Sequence, residues 1–279
     1  MTSTLEAASA SARNVYPPGT VLLPCHDHAR YHHFTNDMIL LDVPDGTEIS
    51  VNRSASIVQN LNMGIAGLPE SSDWVWIIGD DHTFARDIIM RLLTHLYDVP
   101  EEQQVDIVAP LCVRRGPPFS LVAFDAQVKI DEVPHPAYHS VQFQDLPQHG
   151  LVEVVACGSA GMLVRRKVFD AIGSPWFANS TGLFVDEDME FCRRARAKGF
   201  KVYLDVDNAI GHLGILAAWP RKVDGEWGLI LDFQGQGDNR IFMPGGIRTE
   251  EVKPGDTQQH YGVYGDPKGN FTVHDGGRT

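Results

Sequence analysis

Two hydrophobic periods alternate along the first hundred residues. Short strand-like runs at 20–25, 48–51 and 74–78 are rich in Val, Leu, Ile and Trp. Stretches at helical spacing lie between and after them. Residues 29–41 put Phe34, Met38 and Leu41 on one side. Ile57, Val58, Leu61 and Ile65 form a second stripe, with Ser54 as its N-cap, and Ile88, Ile89, Leu92, Leu93 and Leu96 form a third. Strand, helix, strand, helix, strand, helix predicts an α/β fold with a mostly parallel central sheet flanked by helices.

The middle of the chain is less regular. Residues 105–109 predict a strand, and a run of basic residues and Pro follows at 111–118. Residues 119–124 and 127–130 predict two short strands, 131–150 a Pro- and His-rich loop, and 152–156 a further strand. Cys157-Gly158-Ser159-Ala160-Gly161 is a turn of small residues that lets a ligand approach the backbone. Residues 165–172 predict a short helix ended by Gly173 and Pro175. A second helix opens at Glu187-Asp188 and ends at Gly199, its acidic residues first and its basic ones last, as the helix dipole favours. A strand is predicted at 200–204. From Asp224 the chain is Gly-rich and polar, and 261–274 fit a hairpin. The expected division is a disordered N-terminus at 1–14, one domain at 15–222 and an irregular C-terminal extension at 223–279.

Composition narrows the class. The formal net charge is −13, which argues against a general nucleic-acid-binding surface. The four cysteines form no Cys-x-x-Cys pair and read as reduced core residues. The first residues lack the apolar core of a signal peptide, and no later stretch is long enough to span a membrane. The expectation is a soluble cytoplasmic protein.

The chemistry gathers around the strand at 74–78. It runs straight into Gly79-Asp80-Asp81-His82, which places carboxylates and an imidazole at the carboxyl edge of the sheet. Such groups can hold a divalent cation. Glu187-Asp188 at a helix start and His212 between two glycines are the other polar centres. The helix N-terminus is expected to hold Asp188 as a carboxylate.

In order and spacing, these pieces resemble the metal-dependent, family-2-like glycosyltransferases of the Rossmann-like GT-A fold. The matching segments are NRSASIVQNLNMGIAG, SDWVWIIGDDHTF, GSAGMLVRRKVFDAIGSPWF, VDEDMEFCRRARAKGF and GHLG, and they cover roughly residues 21–216. The resemblance implies transfer of a sugar from a nucleotide-diphosphate sugar, UDP-linked before GDP-linked, to an acceptor hydroxyl, assisted by Mn2+ or Mg2+. It implies metal ligands among Asp81, His212, Asp80 and His82. A DxD register puts Gly79 at the first position and makes Asp81 the direct ligand. A DxH register uses Asp80 and His82 instead. Nucleotide contacts fall on Pro24, His26, Asp27, Arg53 and Asp80. Donor or acceptor sugar contacts fall on Gly158, Ser159, Ala160 and Gly161, with Trp176 as a stacking platform. Asp188, beside Glu187, takes the role of general base in an inverting transfer.

Two other classes compete. His26-x-His28 after the first strand, with His32 and His33 nearby, suits a His-rich metal-dependent hydrolase. The chain lacks the regular eight-fold βα pattern of the barrels that carry such sites. A non-catalytic nucleotide-sugar-binding protein would share the fold without turnover.

Overall fold

The computed structural model describes residues 16–25, 31–54, 56–116, 119–128, 137–179, 186–233 and 240–244. In chain order the described elements are β1 (Thr20–Cys25), α1 (His32–Leu40), β2 (Glu48–Arg53), α2 (Ile57–Ala66), β3 (Trp74–Ile77), β4 (His82–Thr83), α3 (Ile88–Tyr97), β5 (Ile107–Leu111), β6 (Ala123–Val128), β7 (Ala137–Ser140), β8 (Leu151–Val154), β9 (Ala156–Cys157), β10 (Met162–Arg165), α4 (Arg166–Ile172), α5 (Glu187–Ala197), β11 (Val202–Ala209), β12 (Gly211–His212), β13 (Leu216–Val223), β14 (Glu226–Phe233) and β15 (Arg240–Pro244).

Seven strands form the central sheet in the order β2-β1-β3-β10-β5-β11-β8. The β1–β2, β1–β3 and β5–β11 pairs are parallel, while β10 runs antiparallel between β3 and β5 and β8 closes one edge antiparallel. The architecture is mixed α/β with a mainly parallel sheet. Strand alternation sends side chains to two cores. Leu22, Val75, Ile77, Ile107, Met162 and Val164 meet Leu61 of α2, Phe169 of α4 and Phe191 of α5. Val21, Leu23, Trp74, Trp76, Val108 and Leu163 meet Phe34 of α1 and Ile88, Leu92 and Leu96 of α3 on the other face. Each of these large side chains, fully buried, is worth about 1.5–3 kcal/mol.

Several boundaries differ from the sequence reading. The N-cap of α2 is Ser56 rather than Ser54, whose hydroxyl instead accepts from the Ser56 N–H at 3.3 Å. Strand β10 had no sequence forecast, because its apolar part, Met162-Leu163-Val164, is too short to show a period. The chain does not break at Asp125, and β6 runs through it. The stretch at 152–156 divides at Val155 between β8 and β9, which belong to different sheets. Part of the expected 131–150 loop is ordered as β7 and a turn of 3-10 helix at Phe143–Asp145. The expected irregular extension is not irregular where it is described: β13, β14 and β15 form an antiparallel sheet that straddles the division at 222/223. Its two-residue turn, Asp224-Gly225, has φ of +48° and +88°, the left-handed pair that such hairpins require. The hairpin forecast at 261–274 lies outside the described residues.

Candidate functional site

The site lies where β1, β3 and β5 end and β10 begins. Because β10 is antiparallel to β3, Met162 pairs with Ile77, and the small-residue turn before it reaches the carboxyl edge. The Gly161 N–H donates to the Ile77 carbonyl at 2.7 Å, and the Trp76 indole N–H donates to the Gly161 carbonyl at 2.8 Å. Gly161 has φ +74°, and a Cβ there would lie 2.7 Å from Pro110. Only glycine fits that position.

Past β3 the chain turns back on itself. His82 pairs with His212 across β4 and β12, and their rings stack with centroids 4.4 Å apart. Asp81 lies against both: its Oδ1 is 2.9 Å from His82 Nδ1 and its Oδ2 is 3.2 Å from His212 Nε2. The Leu213 N–H donates to the Asp81 carbonyl at 2.7 Å, which locks the two segments together. A Cβ at residue 79 would stand 2.8 Å from Asp81 Oδ1 and 3.1 Å from His82 Nδ1. That is the physical reason for glycine where a DxD motif has its first Asp. Gly211 and Gly214, which flank His212, likewise admit Thr83 and Arg115 at close range. Burial opposes ionisation of Asp81, but hydrogen bonds from His212 and His82 outweigh it and hold the carboxyl well below the usual range.

Two site residues were not singled out from sequence. Arg115 Nη2 lies 3.2 Å from Asp81 Oδ2. Cys112 joins His82 and His212 in a group whose ligand atoms all lie within 4.8 Å of one another. Burial, followed by the charge of Asp81, pushes the Cys112 thiol up to about 12. The signal for both was the run at 111–118 directly after a strand bound for the same edge.

A cavity of about 170 Å³ opens beside this cluster, lined by His82, Cys112, Cys157, Gly158, Ser159, Ala160, Asp188 and His212 among others. Asp188 projects from the first turn of α5. Its Oδ2 accepts from the Ser159 N–H at 3.2 Å and its Oδ1 from the Met189 N–H at 2.7 Å. The expectation that the helix start keeps Asp188 ionised is corrected. Burial first, and the neighbouring Glu187 second, raise its carboxyl to about 7, and the two N–H bonds offset this only in part. Burial raises Glu187 as well.

The structure therefore brings His82, His212, Gly158, Ser159, Ala160 and Asp188 onto one cavity, with Asp81 behind the two imidazoles. Pro24 and Arg53 sit at the same edge, near the ends of β1 and β2, and Asp80 lies half-buried in the loop after β3. Glu187 and Gly161 do not line the cavity but neighbour residues that do. Trp176 is not on it. Its indole N–H donates to the Phe169 carbonyl at 2.9 Å, and its ring packs on the core. His26, Asp27 and His28 lie outside the described residues, and His32 and His33 are exposed on α1.

No protein-family model matches the sequence, and no curated protein sequence matches it significantly. Solved structures similar to this chain include A197 from STIV, at TM-score 0.46 and 11% identity over 84% of this chain and 99% of that one. GalNAc-T7 with UDP, GalNAc and Mn2+ gives 0.48 and 11% over 76% of this chain and 45% of that one. The catalytic domain of Drosophila β1,4-galactosyltransferase 7 with xylobiose gives 0.40 and 15% over 77% and 93%. Glycosyltransferases are among the solved structures to which this chain is similar.

Proposed function

We propose that the protein transfers a hexosyl or pentosyl group from a nucleotide-diphosphate sugar, UDP-linked by preference, to an acceptor hydroxyl with inversion. The observation that carries this reading is a single cavity lined by two chemistries. One is that of His82 and His212, backed by the Asp81 carboxylate and Arg115. The other is that of Asp188, whose carboxyl titrates near neutral pH. Transfer needs both: negative charge develops on the departing diphosphate, and the attacking hydroxyl must lose its proton.

A divalent cation, Mn2+ or Mg2+ in the resemblance, fits the first of these. His82 Nε2 is buried there without a hydrogen-bond partner, and Asp81 Oδ2 faces His212 Nε2. Asp81 with His212, or Asp80 with His82, would hold it. Bound there, such an ion supplies charge neutralisation for the diphosphate. Arg115 adds a guanidinium on the same side. Pro24, Arg53 and Asp80 are placed for the nucleotide. Gly158, Ser159 and Ala160 border the space for the donor sugar, where a bare backbone admits the ring. Asp188, oriented by the Ser159 and Met189 N–H groups, takes the acceptor's proton. A raised pKa suits that task, because a base near 7 is ionised in part and also binds the proton it receives.

The test is thermal melting with UDP- and GDP-sugars, with Mn2+, Mg2+ or EDTA. A donor that binds the folded state raises Tm by mass action. The expected result is a shift for a UDP-sugar that EDTA diminishes. No shift for any nucleotide sugar under any metal condition overturns the reading.

A further inference from the structure

We infer that Cys112 is a ligand in a two-histidine, one-cysteine cation site, and that the donors of this site select a thiolate-accepting ion of the zinc class over Mg2+. The inference rests on the reading that this cleft holds a divalent cation, but it replaces the carboxylate ligands and the Mn2+ or Mg2+ of that reading with His82, His212, Cys112 and a softer ion.

Tautomers carry the first part. His212 Nδ1 lies 3.0 Å from the Val113 carbonyl, which can only accept. Nδ1 therefore bears a proton, and Nε2 is the nitrogen left to ligate an ion once it gives up any proton it shares with Asp81. His82 Nδ1 lies 2.9 Å from Asp81 Oδ1 and 3.3 Å from the Gly79 carbonyl, again acceptors only. Its Nε2 is thus a lone-pair donor, and it is buried without a partner in a residue only 4% exposed. A buried nitrogen left so is costly unless something absent satisfies it. Metal-binding histidines have this arrangement: one ring N–H on a carboxylate or carbonyl, the other nitrogen on the ion. Asp81 and Val113 would be those outer partners. In the 3.2 Å contact His212 Nε2 and Asp81 Oδ2 share a proton, which an ion bound at Nε2 would release to solvent.

Cys112 carries the second part. One ring nitrogen from each histidine and the Cys112 sulfur lie within 4.8 Å of one another. Bond lengths of about 2.0–2.1 Å to nitrogen and 2.3 Å to sulfur put tetrahedral ligands about 3.3–3.8 Å apart, so movements of about an ångström close the set. The segment that delivers the thiol also delivers the Val113 carbonyl that fixes His212. Three protein ligands leave a fourth position open, and all three side chains line the cavity that Asp188 also lines. Nitrogen and sulfur donors suit Zn2+ or Co2+, whereas Mg2+ requires oxygens. On binding, the ion displaces the thiol proton to solvent, and the Cys112 sulfur becomes its thiolate ligand.

The test is Co2+ titration of the full chain after chelator treatment, followed by absorption. The expected result is binding of one Co2+ per chain with a thiolate-to-cobalt charge-transfer band, displaced by Zn2+ but not by Mg2+. Cys112→Ser should lose the band and weaken Zn2+ binding by about 100-fold or more, beyond the 10–100-fold typical of outer-shell losses. Cys157→Ser, at the other thiol on the cavity, should keep the band. Bound Co2+ without the band, a band that survives Cys112→Ser, or no stoichiometric Co2+ would each overturn the inference. The wild-type spectrum decides even if a variant misfolds. Nucleotide-sugar melting is a separate readout. A UDP-sugar shift without the band fells the Cys112 site alone, and the band without any shift fells the donor reading alone.

Discussion

Asp188 concentrates the chemistry of single residues. Its carboxyl sits near 7 in the folded protein, against about 4 in an unfolded chain. Two expectations follow from the one number. In the proposed role of general base it would work only when ionised, so kcat/KM should rise with pH through about 7, and Asp188→Asn should lower turnover by ~10²-fold or more while donor binding stays. Between about pH 4 and 7 the folded state holds a proton that the unfolded state has lost. Stability therefore falls as pH rises through that window, by roughly 1.4 kcal/mol per pH unit at most. Asp188→Asn should remove that slope and gain Tm relative to wild type at pH 8 more than at pH 4, which melting at the two pH values checks. A second residue with a defined role is Gly79. Gly79→Ala would drive a methyl into Asp81 and His82, and should cost metal-dependent donor binding before it costs the fold. Much at this scale was legible in the sequence, because Asp80, Asp81 and His82 follow an apolar strand. The ionisation of Asp188 was not. Its raised value comes from burial and from the charge of Glu187, which no local pattern reveals, and the helix start alone suggested the opposite. Cys112 and Arg115 follow a strand bound for the same edge, but nothing local says that their loop folds over His212.

Among the elements, β10 decides whether there is a site at all. It returns antiparallel between β3 and β5, and so carries the 157–161 turn to the edge where Asp81 sits. Gly161 is the hinge of that turn. Gly161→Ala adds a left-handed φ to a clash with Pro110, and should destabilise by about 2–4 kcal/mol, measurable by denaturant melting. Helices α2 and α3 were readable from their apolar stripes, as was the strand at 74–78. Strand β10 was not, since three apolar residues fit either period. The Asp224-Gly225 turn is legible in the sequence as a hairpin signal. It pairs with flanking segments that hold Trp219, Trp227, Leu229 and Leu231, and it is the standard two-residue hairpin signal.

At the scale of the whole molecule, two apolar cores on either side of one sheet leave the carboxyl edge as the place where unlike groups converge. Residues far apart in sequence, from Asp81 to Asp188 and His212, meet there because parallel strands all end on the same side. The class of fold could be read from the alternation of periods, whereas strand order could not, because pairing across the sheet leaves no local mark. Among the described residues no helix is long and apolar enough to cross a membrane. In the proposed function this edge grips a nucleotide-sugar donor through a cation. Calorimetric titration of UDP-sugar into the chelator-treated protein, with and without added divalent ion, tests it most directly. The expected result is one donor per chain, at least ~10-fold tighter with the ion than with EDTA, and loss of that gain in His212→Ala. Binding of equal strength with and without the ion, or a gain that survives His212→Ala, would contradict it.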